Sequence, residues 1–162
     1  MRDVAAAAML LFGGLYTGIC VSIAVDRIPA WFRMSIAEYA VDFRRTVHAI
    51  DPLQPILATI ASVGTLVFAL KADGTPALLA WIAFGFQMVA MVTSITIAEP
   101  MNSAFRKLDE GTVPEGAERI RDKWALFHRV RTVGAVGMLA LLVAAAVYVS
   151  GVSAVYWWSD DA

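Results

Sequence analysis

Residues 4–25 read VAAAAMLLFGGLYTGICVSIAV, a run of 22 positions with no formal charge. As a helix rising about 1.5 Å per residue, it is long enough to cross a hydrocarbon core of about 30 Å. Arg2 precedes it, which raises the alternative of a secretion signal. The run is too long for a signal's apolar region, and Cys20-Val-Ser22 lacks a small-x-small cleavage pair. It is therefore a membrane span. Working outward, uncharged runs recur at 52–70, 77–98 and 132–155. The expectation is an all-α integral membrane four-helix bundle forming one domain over 1–162, with spans at about 4–25, 52–70, 77–98 and 132–155.

The composition agrees. Apolar residues make up 59% of the 162 positions and charged residues 17%, against about a quarter charged in soluble domains. The charges are bunched between the apolar runs. A net charge of −1 offers no basic excess for a phosphate backbone, so no nucleic acid is expected as partner. The single cysteine, Cys20, excludes an intrachain disulfide and a cysteine zinc site, and reads as a small apolar residue.

The connections carry the detail. Gly14 and Gly18 stand one turn apart in the first span, a spacing that lets another helix approach closely. Asp26-Arg27-Ile-Pro29 ends that span, and Trp31-Phe32 falls at headgroup level. Ser35-Ile-Ala-Glu38 is a capping box. It opens a helix over about 35–50 whose apolar stripe (Ile36, Tyr39, Phe43, Val47, Ile50) is expected to lie on the membrane interface. Asp51-Pro52 breaks it. Residues 71–76 make a tight turn. Gln87, the only amide in the third span, reads either as a bond across helices or as a ligand contact. After that span Asn102 reads as an N-cap of a short helix at about 103–110 closed by Gly111. A second cytoplasmic helix, about 114–131, runs into the fourth span. Tyr156-Trp157-Trp158 reads as an aromatic anchor before an acidic tail.

Eleven of the thirteen basic residues fall in the first and third connections, and only Arg2 and Lys71 on the other side. The expected location is a multi-pass cell-membrane protein with loops 1 and 3 cytoplasmic and both termini opposite. That topology gathers His48, Asp51, Glu99, Asn102, His128 and Arg131 near one depth. Trp124, His128 and Arg131, spaced i, i+4, i+7, share one helix face that continues into Ala135, Met138 and Leu142.

Three chemistries suit these residue types. His48, His128 and Glu99 are the donor kinds of a non-haem iron site, although no pair has a close ligand spacing. Two histidines also match haem by count. The third is general-base chemistry, with His128 taking a proton from an acidic carbon or phenol while Arg131 and Asn102 hold the oxyanion. A plainer alternative has Trp124 and Arg131 anchoring the helix at the headgroups and His128 as a structural hydrogen-bonder.

Several motifs resemble the anthrone oxygenase-like family of small four-span membrane proteins. They are the glycines at 14 and 18, Pro29, His48 with Pro52 and Pro55, Pro100-Met-Asn102, and Trp124-x3-His128-x2-Arg131. The last two are the specific ones. Members in polyketide pathways oxidise an anthrone to an anthraquinone with dioxygen, without metal or flavin. The resemblance implies a pocket at the cytoplasmic end lined by Asn102, Trp124, His128 and Arg131, with no cofactor. In it His128 would be the base, Arg131 and Asn102 the oxyanion holders, and Trp124 a platform for a flat ring system. His48, Glu99 and Gln87 join them as substrate contacts. Glu99 departs from the apolar residue expected before the Pro-x-Asn, and is placed to pair with Arg106 or Arg131. The expected partners are the lipid bilayer and a small hydrophobic molecule. A homo-oligomer or a larger membrane complex stays open, and with it a second reading as a non-enzymatic lipophile-binding or accessory subunit.

Overall fold

A computed structural model describes residues 1–109 and 112–159, with side chains as far as residue 149. The expected closing Gly111, the aromatic triplet at 156–158 and the acidic tail lie outside the residues whose side chains are described. No strand occurs among the described residues. The described residues form five helices: α1 (Arg2–Trp31), α2 (Ile36–Ile50), α3 (Leu53–Lys71), α4 (Gly74–Arg106) and α5 (Ala117–Ser159). All but α2 are long and apolar enough to cross a membrane, so the protein is a four-span bundle. α1 packs on α3, α3 on α4, α4 on α5 and α5 back on α1, closing a ring.

The ring is drawn tight by small residues and a few polar ties. Met9, Tyr16, Cys20, Leu57, Phe68, Met138 and Leu142 fill its middle among alanines. Thr17 Oγ1 donates to the Ala135 carbonyl at 3.2 Å, joining α1 to α5. The close backbone approach comes at Gly64. A Cβ there would stand 2.9 Å from Met9 N and 3.1 Å from the Ala5 carbonyl. Gly14 and Gly18, read from their spacing as the contact, have nothing within 4 Å of an added Cβ. They face away from the ring, because the helix rotation is set by Met9, Tyr16 and Cys20 turning inward.

Two helices outrun their expected ends. α1 continues past Asp26 and Pro29 to Trp31, and α4 continues past Pro100 to Arg106. Each passes its proline through a five-residue π turn, Ile23–Arg27 and Ser94–Ala98. Proline lacks an N–H and its ring crowds the carbonyl four residues back; widening the preceding turn relieves both. Asn102 therefore sits inside α4 and is not an N-cap, and no separate helix begins at 103.

α2 forms as expected, with the Ser35–Glu38 capping box intact. Its stripe does not rest on lipid. Tyr39, Phe43 and Val47 pack against Trp31, Phe105 and Trp124, making a second, aromatic core at one end of the bundle. Trp31 is buried there, its Nε1 donating to Asp42 Oδ2 at 2.7 Å. The aromatic rings could have served membrane or core equally; facing aromatic partners on α1, α4 and α5 decide it.

Candidate functional site

The aromatic core supports a polar layer made by α4, α5 and the turn between α2 and α3. Trp124 Nε1, on α5, donates to Asn102 Oδ1 at 2.9 Å. Asn102 Nδ2 in turn donates to both oxygens of Asp51, at 3.0 and 3.2 Å. Arg106, one turn beyond Asn102 on α4, reaches Asp51 Oδ2 and Glu99 Oε2, each at 2.9 Å. Asp51 stands in the turn between α2 and α3, outside the spans, and joins α4 to both. Burial raises its pKa above the ordinary carboxylate range, opposed by the Arg106 guanidinium and the Asn102 amide. Of the two partners foreseen for Glu99, Arg106 is the one observed.

One turn into the bundle lies a second group. Arg131 Nη2 is 2.7 Å from His128 Nδ1, and Nη1 is 3.3 Å from Ser94 Oγ. Guanidinium only donates, so Nδ1 accepts and the ring's proton sits on Nε2. That N–H donates to the Cys20 carbonyl at 3.0 Å. Thr132 Oγ1 reaches the same carbonyl at 3.3 Å. His128 is fully buried, and the Trp124 indole stacks on it with centroids 4.7 Å apart and planes 10° from parallel.

Beside these groups is a cavity of about 900 Å³. Its mouth carries His48, Asp51, Gln54, Glu99, Asn102, Arg106 and Arg131; its walls run inward past Phe86, Phe127 and Ala135 to Met138, with Tyr16 and Gln87 as inner polar groups. Phe86 and Val89, on its wall, are also exposed on the outside of α4. The cavity is therefore open on that side as well as at its mouth.

The expected site residues thus divide into two layers. Arg131, Asn102, His48, Glu99 and Gln87 reach the cavity. Trp124 and His128 do not belong to its wall; they stand behind Asn102 and Arg131 and hold them. Trp124 is buried, stacked on His128 and edge-to-face with Trp31 and Phe43, so its indole is not presented to the cavity. His48 is engaged only at Nδ1, which lies 2.9 Å from the Arg44 carbonyl. A carbonyl only accepts, so Nδ1 carries the hydrogen and Nε2 keeps its lone pair. His48, His128 and Glu99 are not assembled as a metal-binding group, and no other trio of His, Cys, Asp or Glu is among the described residues. Both nitrogens of His128 are already committed. Asp51 and Arg106, the hub of the mouth, were not singled out as site residues. The signal was present: Asp51 stands three residues after His48, and Arg106 four after Asn102 and seven after Glu99.

A ring of four spans with a largely apolar cavity in its side and a charged mouth defines a helical membrane protein of the four-span class. A family model described as anthrone oxygenase matches residues 43–141, more than half of the sequence, and the chain belongs to that family. No curated protein and no solved structure matches it.

Proposed function

We propose that this protein is an oxygenase that converts a flat, hydrophobic anthrone-like substrate to the corresponding quinone within the cavity. The observation that carries the reading is the Arg131 guanidinium, fixed by His128 and Ser94, where the charged mouth meets a mostly apolar cavity wall. Family membership supplies the reaction class. A guanidinium so held stabilises an oxyanion without reorganising during the reaction.

In this reading His48 Nε2 takes a proton from the acidic ring carbon, and the electron pair passes onto the ketone oxygen beside Arg131. The electron-rich anion reduces dioxygen, forming a carbon–oxygen bond and, after protonation, a hydroperoxide. Loss of the remaining hydrogen on that carbon, as a proton, breaks the O–O bond and gives a carbonyl and water. One dioxygen is consumed per quinone, and the chain's residues move only protons. His128, first read as the base, is a positioning residue here: its lone-pair nitrogen is occupied by Arg131. The excess of basic residues in the two connections at this end supports a mouth on the cytoplasmic side.

Purified protein, mixed with an anthrone under air, tests the reading. Quinone formation above the spontaneous rate, with matching oxygen uptake, is expected. Arg131→Ala and His48→Gln should each lower the rate by about 100-fold. No acceleration over buffer, or variants equal to wild type, overturns it.

A further inference from the structure

Ser94 opens the π turn of α4, and its hydroxyl behaves unlike those beside it. Thr93 Oγ1 shares its hydrogen between the Val89 carbonyl at 2.7 Å and the Ala90 carbonyl at 3.2 Å. Thr96 Oγ1 donates to the Val92 carbonyl at 2.8 Å. Hydroxyls inside helices commonly spend their hydrogen in this way, on a carbonyl three or four residues back. For Ser94 the carbonyl four back is that of Ala90, which already takes the Ser94 N–H and Thr93 Oγ1. A carbonyl has two lone pairs, so no place is left on it. Among the described residues, the one bond of the Ser94 side chain is as acceptor, from Arg131 Nη1 at 3.3 Å. The Ser94 hydroxyl therefore keeps an unspent hydrogen.

Ser94 is half-buried and lines the cavity beside Arg131. Arg131 Nη1 spends one of its two hydrogens on Ser94 and keeps the other. Two donors 3.3 Å apart can both close on one oxygen, each at about 2.8 Å. Donation from the guanidinium into Oγ also polarises the hydroxyl and strengthens what it donates in turn. We propose that Ser94 is a second catalytic donor, forming with Arg131 a two-point cradle for the oxygen that gains negative charge when the substrate loses its proton. This rests on the cavity being the reaction site, as proposed above. It turns Ser94 from a support for Arg131 into a group that touches the substrate. A lone cation attracts an anion from any side, whereas two converging donors select an oxygen with two lone pairs, as in a ketone becoming an enolate.

The probe is 9-fluorenone, a flat ketone with a single carbonyl, and the readout is the infrared stretch of that carbonyl in the purified protein. Each hydrogen bond the carbonyl accepts lowers its stretch. In wild type the band should lie below its position in alkane by the shift of two donors. Arg131→Ala and Ser94→Ala should each recover part of that shift, and the double variant should return close to the alkane position. If Ser94 only supports Arg131, Arg131→Ala and the double variant will share one band, which overturns the assignment and leaves the cavity reading intact. Turnover reads the same role: Ser94→Ala should lower the kcat of anthrone oxidation about 100-fold, and a rate equal to wild type also overturns the assignment. A wild-type band at the alkane position, or no binding of fluorenone, overturns the cavity reading and this inference with it.

Discussion

Arg131 and His128 form one unit on α5: the guanidinium Nη2 stands 2.7 Å from the imidazole Nδ1, one turn away on the same face. The ring's other nitrogen is tied to α1 through the Cys20 carbonyl. The histidine therefore transmits the position of α1 to the arginine in the cavity wall, and neither residue is satisfied without the other.

A double-mutant cycle measures that dependence. His128→Ala and Arg131→Ala should each cost about 1–3 kcal/mol, because each leaves a buried partner unpaired. The double variant should lose less than the two combined, by about 0.5–3 kcal/mol. Thermal unfolding in detergent reads all four proteins. Additive losses would mean the contact carries no coupling.

Glycine placement gives a second test. Gly64→Ala should destabilise by about 1–3 kcal/mol, since its Cβ meets the backbone of α1. Gly14→Ala and Gly18→Ala should be neutral or stabilising by up to about 1 kcal/mol, alanine being the better helix former. The reverse order would show that α1 is rotated from the position described.

These glycines also show where sequence reading stops. Spans, capping box and the shared face of Trp124, His128 and Arg131 are legible because they depend on local periodicity and length. Helix rotation does not, so the spacing of Gly14 and Gly18 pointed to a contact that Gly64 makes. Asn102 followed by a polar run has the form of an N-cap. Only the π turn before Pro100, which lets α4 continue, turns it toward Asp51 and Trp124. His48, Asp51, Glu99, Asn102, His128 and Arg131 were readable as sharing one depth. Which of them face the cavity and which stand behind depended on contacts more than 20 residues apart in sequence, as between Asn102 and Trp124.

Trp124→Phe separates packing from hydrogen bonding. Phenylalanine keeps an aromatic ring against His128 but cannot donate to Asn102. Stability should fall by about 0.5–1.5 kcal/mol, and anthrone turnover should fall with it. In an Asn102→Ala background the same change should add little. If Trp124→Phe impairs turnover equally in both backgrounds, the indole acts by some route other than Asn102.

Asp51 sets a pH dependence. Burial raises its pKa in the folded protein above the unfolded value of 3.8, so the native state binds this proton more tightly than the unfolded state does. Its contribution to stability therefore rises as pH falls through the folded value and levels off below the unfolded one. Asp51→Asn should flatten that part of the unfolding profile. An unchanged slope between the two proteins would place the titration elsewhere.

The central claim is that a lipophilic aromatic substrate occupies the cavity between α3, α4 and α5. Photo-crosslinking of the protein in lipid nanodiscs with a diazirine-bearing anthrone analogue, followed by peptide mapping, tests it most directly. The account expects adducts on Phe86, Met91, Phe127 or Met138, lost when excess unlabelled anthrone competes. Adducts confined to outward residues such as Leu11, Leu15 or Val133, and indifferent to competitor, would contradict it.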